Sequence, residues 1–228
     1  MAQMELNLDA FISAQQHLKV DGLTLPGVVT IAGLSGVDGF SLTYDGRSPN
    51  FNEKDLELTI AAAMGTRFAL RITPRADLLQ LALNLPISQV TFAGENIFED
   101  FGADLETFVP QLKDVGKLVS FCLEPELSLL KKAYRQQADM VELNVSHYSD
   151  NISIAGKAEA QEQIALMAKT AEKNGLGVAV NGGISFQNVL PLVSIEAVEN
   201  VVVGRAIIGR SIFVGLETAV RDFKAQVQ

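Results

Sequence analysis

The chain has 228 residues, 48% of them hydrophobic and 20% charged, the balance of one ordinary globular unit with a large core. A net charge of −9 argues against nonspecific nucleic-acid binding, which needs clustered Lys and Arg against phosphate. No apolar run is long enough to cross a bilayer, the opening MAQMELNLDAF lacks the basic and apolar regions of a secretory signal, and one cysteine with two histidines supports neither a disulfide framework nor a common zinc site; the expectation is a cytoplasmic protein with no membrane partner.

Eight short β-rich runs succeed one another along the chain, at 4–8, 39–44, 67–72, 89–92, 118–123, 140–144, 177–181 and 200–203. Several are almost wholly apolar, as strands buried on both faces of a parallel sheet are. Helical patterns lie between them. Residues 10–26 read as irregular, and the first full helix as 26–34. The segment 53–64 carries Leu56, Ile60 and Ala63 on one face. An acidic cap opens 104–115, Pro125 and Glu126 open 125–136, Asn174-Gly175 closes 157–174, and 211–227 ends the chain. Strand then helix, eight times over, predicts a single (β/α)8 TIM barrel spanning residues 1–228. An open doubly wound sheet is the rival, but no GxGxxG comes after the first strand. The segments 10–26, 45–51 and 146–156 then sit at the C-terminal face, where barrel chemistry happens.

The clearest chemical signal comes late. The seventh strand ends in Asn181-Gly182-Gly183-Ile184, and the eighth in Gly204-Arg205. Glycine allows close approach of backbone N–H groups to a phosphate, and a helix N-terminus just beyond adds its dipole. A tight turn is the plainer reading of Gly182-Gly183, but two such loops in one barrel favour a phosphorylated small-molecule ligand. Asn7 and Asp9, two apart at the end of the first strand, should both face the barrel mouth, with ligand contact and helix capping equally open for Asp9. Glu142, in an apolar strand, either orders the interior or meets ligand. Arg71 in FALRIT needs an anionic partner, and an ion pair with Asp9 or Asp45 is favoured over direct ligand contact. Arg47 and the two histidines, His17 and His147, sit on loops, where a solvated side chain is the default; the alternative is closure over an anion for Arg47 and acid–base work for the histidines. Cys122, in LVSFCLEP, reads as a buried structural thiol.

These residues carry a resemblance. The stretches LNLDAF, GVDGF, ADMVELNVSHYSDN, GLGVAVNGGISFQNV and VVVGRAIIGRSIFVGLETAV resemble the pyridoxine 5'-phosphate synthase family of vitamin B6 biosynthesis, nearly end to end. The resemblance implies a cofactor-free condensation of 1-deoxyxylulose 5-phosphate with 3-amino-2-oxopropyl phosphate, in octamers of barrels. It places Asn7 at the amino-ketone phosphate, Asp9 at the deoxyxylulose phosphate, and Gly183 and Gly204 on phosphate loops; Glu142 also matches. It also exposes departures. Where the family has His after the first-strand Asp, this chain has Ala10. The proton-accepting His is Thr43, the Arg two residues on is Asp45, and a loop His is Asn50. The catalytic Glu is Arg71, the proton-donating His is Gly182, the final His is Arg205, and an early Arg falls at Leu18.

Matches and departures together lead to the expectation of a divergent family member. Asn7, Arg71, Asn181, Gly182, Gly183, Gly204 and Arg205 would bind a phosphorylated metabolite. Asp9, Glu142 and Asp45 are the acid or base candidates, with His147 a further one. A non-catalytic ligand-binding homologue and a genuine synthase are the alternatives.

Overall fold

Cross-lumen contacts fix which way each strand faces. In the computed structural model, which describes residues 1–18, 22–48 and 51–228 and only the backbone of 17 and 18, the strands are β1 (Gln3–Asn7), β2 (Gly39–Thr43), β3 (Arg67–Ile72), β4 (Gln89–Phe92), β5 (Leu118–Leu123), β6 (Met140–Asn144), β7 (Gly177–Asn181) and β8 (Asn200–Val203). All pair in parallel in chain order, and β8 closes on β1. Arg67 on β3 reaches Glu5 on β1 at 3.3 Å, and Arg71 on β3 meets Glu142 on β6. Neither pair of strands is adjacent, so these four side chains point into the barrel. Alternation then sends Leu6, Phe40, Leu70, Phe92, Phe121 and Val141 outward, where each is fully buried under the helices.

The lumen is therefore polar, and the expectation of strands apolar on both faces holds for the outer face alone. Glu5, Ser41, Gln89, Thr91, Ser120, Glu142 and Asn200 are all buried. Several of them are paired: Asn200 Nδ2 donates to Glu5 at 3.0 Å, and Gln89 Nε2 to Thr91 at 3.0 Å, whereas Ser120 Oγ has no partner among the described residues. Burial pushes the Glu5 carboxyl above the usual carboxylate range, and the charge of Glu142 adds to the rise against the pull of Arg67.

The helices correct the sequence reading in several places. Residues 10–26 are not an irregular segment, because α1 (Asp9–Leu18) occupies most of it. The part of that segment at 19–21, the side chains of His17 and Leu18, and Asn50 lie outside the described residues. Next come α2 (Leu25–Leu34), capped by Thr24, and α3 (Glu53–Ala62), where Asn52 and Asp55 form a reciprocal cap. The helix α4 (Ala76–Asn84) has no counterpart in the sequence reading. Its carbonyls at Ala82, Leu83 and Leu85 accept from the buried Lys117 ammonium at 2.6–3.0 Å.

The helix expected at 104–115 begins earlier, as α5 (Ile97–Asp114). Phe101 (φ −128°, ψ 16°) breaks it, and the regular part starts just beyond. Then come α6 (Leu127–Arg135), α7 (Ser146–Ser149), α8 (Ile154–Lys173) and α9 (Val189–Val193). The final helix is two, α10 (Arg205–Val214) and α11 (Leu216–Val227), because Gly215 at φ +80° ends one and starts the other. That split moves a helix N-terminus to Arg205, directly after β8. Among the described residues, no helix is long and apolar enough to cross a membrane.

Candidate functional site

At the C-terminal mouth a cavity of about 330 Å³ is walled by the ends of β1, β7 and β8 and the first turns of α1 and α10. Asn7, Asp9, Arg71, Asn181, Gly204 and Arg205 line it, as do the glycines of the β7 loop. All seven of the sequence-derived binding candidates and Asp9 thus meet at one place. Ala10, Ser13, Ile184 and Val202 also line it. The sequence does not single these out as binding residues, since an apolar or small residue there carries no chemical signature.

The β7 loop is held by its carbonyls. Ser149 Oγ donates to the Gly182 carbonyl at 2.7 Å, and Asn188 Nδ2 to that of Gly183 at 3.0 Å. A trans peptide points its N–H opposite to its C=O, so the N–H groups of Gly183 and Ile184 face away from these partners. Gly182 and Gly183 sit at φ +99° and +67°. A Cβ at Gly182 would lie 2.4 Å from Asn144 Oδ1, and one at Gly204 would lie 2.8 Å from the Asn7 carbonyl. Glycine is required at both positions for packing, and at Gly182 for backbone angle as well. Across the cavity, Arg205 and Ala206 open α10 with N–H groups that have no acceptor within the helix. The exposed Arg205 guanidinium makes no ion pair among the described residues.

Asn7 and Asp9 do not share a strand face as expected. β1 stops at Asn7, and Asp9 is the first residue of α1. The Asp9 carboxylate accepts from Thr43 N at 2.6 Å, from Thr43 Oγ at 2.7 Å and from Asn7 Nδ2 at 3.2 Å. It lines the cavity and also clasps the β1–α1 junction to β2.

Arg71 has a different partner from the one expected. Its ion pair is with Glu142, and neither Asp9 nor Asp45 bonds to it. The guanidinium also donates to Cys122 Sγ at 3.4 Å. Asn181 Nδ2 bonds both Glu142 and Cys122 Sγ, the latter at 3.3 Å. Burial alone would lower the Arg71 pKa, but the charge of Glu142, with Cys122 and Asp9 behind it, holds the guanidinium above its ordinary value. Cys122 is half-buried and faces the lumen, so it is not the thiol of an apolar core that its neighbours suggested. Burial, then Glu142, pushes that thiol up to about 11 against the opposing pull of Arg71, which keeps it protonated and poorly nucleophilic.

Asp45, Arg47 and His147 are exposed and line neither mouth cavity. The Asp45 carboxylate accepts from Arg47 N at 2.9 Å, a local turn contact. Beside the first cavity a second, of about 640 Å³, opens over β4 to β6. Glu95, Glu99, Glu124 and Glu126 line it with Cys122 and Asn144. Glu99 is paired with Lys132, and Glu124 accepts from Asn144 Nδ2 at 2.6 Å. The first cavity offers guanidinium and backbone N–H beside one carboxylate, Asp9, and the second is lined by four glutamates.

Comparison with known proteins gives the chain's family. The profile of the family described as "Pyridoxal phosphate biosynthesis protein PdxJ" matches residues 22–228. A pyridoxine 5'-phosphate synthase of Syntrophobacter fumaroxidans is 27% identical, covering 100% of this chain and 99% of that one. One from Prochlorococcus marinus is 29% identical, over 100% and 96%. Among solved structures, the thiamine phosphate pyrophosphorylase of Pyrococcus furiosus superposes with a TM-score of 0.69 at 13% identity, over 99% of this chain and 95% of that one; at that identity the likeness is one of fold.

Proposed function

Since the chain belongs to the family of the pyridoxal phosphate biosynthesis protein PdxJ, we propose that it holds a phosphorylated small metabolite in the β7–β8 cavity, as a divergent member that lacks the usual proton-transfer groups. The observation that carries the reading is the convergence of the Arg205 guanidinium, which makes no ion pair among the described residues, with a helix N-terminus and a loop whose carbonyls are tied back by Ser149 and Asn188. These are the elements that bind phosphate elsewhere: fixed N–H groups, a helix dipole and a planar cation.

The divergent part of the reading rests on what surrounds the cavity. Its carboxylate, Asp9, is engaged three ways by Thr43 and Asn7. Glu142 lies beneath, bound to Arg71 and Asn181. Among the described residues, no histidine lines the cavity. The family reaction, as the resemblance describes it, joins two phosphorylated substrates. Here the neighbouring half of the mouth is lined by carboxylates, which repel a second dianion. Full-length similarity to proteins called pyridoxine 5'-phosphate synthase is what favours the second reading, a working synthase.

Calorimetric titration with inorganic phosphate tests the binding. The wild-type chain is expected to bind it saturably, and Arg205→Gln to bind on the order of tenfold more weakly, as loss of one charge-assisted contact implies. Equal affinity in the two proteins, or no binding by the wild type, would remove the phosphate assignment.

A further inference from the structure

The buried network under the cavity has a feature the phosphate reading does not use. Glu142 is 2% exposed, and one of its oxygens takes both Arg71 Nη1 and Asn181 Nδ2. Cys122 Sγ takes the other Arg71 nitrogen and the same Asn181 amide. Arg71 and Asn181 line the anion cavity, whereas Glu142 does not. Four side chains from β3, β5, β6 and β7 thus form one closed cluster, and the cavity's inner cation is already committed to a carboxylate.

Resting on the phosphate reading above, we propose that Glu142 is a positioning residue that sets the strength of the anion site: it holds Arg71 and Asn181 at the cavity floor, and its charge opposes the ligand's.

Three lines of physical chemistry support this. A guanidinium has no alternative charge state at any working pH, so Arg71 stays cationic and needs a counter-charge when buried. A carboxylate this deep needs a paired cation, and Arg71 is its ion-pair partner. An oxyanion entering the cavity makes contact with Arg71 while Glu142 remains one side chain away, in a medium where like charges are poorly screened. The other charges facing the cluster are Asp9 above it and Glu5 below it in the lumen. Burial is the main cause that raises the Glu5 carboxyl and the charge of Glu142 adds to it, while Asp9 acts on Arg71. With Arg71 offset by Glu142, Arg205 is left, among the described residues, as the cavity's uncommitted cation, and the site is weaker than two arginines would make it. The consequence is a ligand held loosely enough to leave, by an arginine that cannot swing away.

The test is phosphate titration of variants that keep the shape and change the charge. Glu142→Gln retains an oxygen acceptor for Arg71 and Asn181, and should bind phosphate on the order of tenfold more tightly than wild type, with a larger phosphate-induced rise in Tm despite a lower Tm without ligand. Phosphate affinity equal to or below wild type in a folded Glu142→Gln protein would overturn the proposal, because a merely structural Glu142 lowers the Tm and leaves the ligand response alone.

A charge cycle covers the case in which that variant fails to fold. Arg71→Met leaves Glu142 facing the anion and should lose at least about a hundredfold in affinity, while Arg71→Met with Glu142→Met should recover most of the loss. Equal losses in the single and double variants would overturn the proposal. The phosphate reading fails separately: if wild type and every variant ignore phosphate, the binding assignment is wrong and the inference falls with it. Binding by wild type with no response to Glu142 removes the inference alone.

Discussion

Given 1-deoxyxylulose 5-phosphate and 3-amino-2-oxopropyl phosphate together, the protein should form pyridoxine 5'-phosphate at least about 10⁴-fold more slowly than the Syntrophobacter fumaroxidans relative assayed beside it, since general acid–base groups contribute about 10²–10⁴-fold each. The expectation comes from what stands at the three positions where the resemblance puts proton transfer. Thr43 has no useful acidity near neutrality, and its hydroxyl is donated to Asp9 at 2.7 Å. Arg71 is a permanent cation paired to Glu142. Gly182 has no side chain. The groups left nearby, Asp9 and Glu142, are both bonded to fixed partners, so neither is free to move a proton without breaking the clasp or the buried pair. Timed product detection with both substrates gives the answer. A rate within tenfold of the relative would mean that other residues or a water chain do the work, and the chain would then be an ordinary synthase.

Gly182→Ala should lower stability by about 2–4 kcal/mol, which for a chain of this length is a Tm lower by roughly 5–15 °C. Two costs combine. The backbone at φ +99° strains any L side chain. The new Cβ would also sit 2.4 Å from Asn144 Oδ1, 2.6 Å from Ser146 Oγ and 2.9 Å from Ser146 N. The last contact is backbone and cannot rotate away, and the first two belong to a turn in which Asn144 Oδ1 accepts from Ser146 N at 3.1 Å and Ser146 Oγ at 2.7 Å. The same geometry blocks simple reversion. Gly182→His alone should destabilise the loop without restoring turnover, because Asn144 and Ser146 occupy the space a histidine needs. Thermal unfolding of the alanine variant within about 2 °C of wild type would show that the loop relaxes freely, and the conclusion that this position is locked would be withdrawn.

Much of the fold is legible in the sequence because barrels advertise themselves. Six of the eight strand ranges coincide with the reading, since β-rich runs bounded by turn residues leave little latitude. The glycine loops at 182–183 and 204 are legible for a similar reason: few side chains fit there. The polarity of the lumen is partly hidden. Ser41, Gln89, Thr91 and Ser120 alternate with Leu, Val and Phe, a period-2 pattern, but over four to six residues it is swamped by the apolar average. The helix α1 escapes notice because DAFISAQQHL lacks a strong stop and merges with the turn residues after it.

Ion-pair partners are the least legible. The sequence points Arg71 toward carboxylates near in sequence or expected at the mouth, Asp9 or Asp45. The lumen instead brings β3 and β6 face to face, and so selects Glu142, 71 residues away. No periodicity encodes that choice, because it depends on how the strands of the closed barrel face one another. Asp45 shows the reverse error. Its loop position suggests the mouth, but its carboxylate serves the turn of Arg47.

Diffraction from crystals soaked in millimolar phosphate decides whether the glycine loops and Arg205 form an anion site at all. A tetrahedral peak is expected between the N–H groups of Gly183, Ile184, Arg205 and Ala206, within hydrogen-bond distance of the Arg205 guanidinium. A well-ordered mouth with water alone at that position, in crystals soaked at that phosphate concentration, would contradict it.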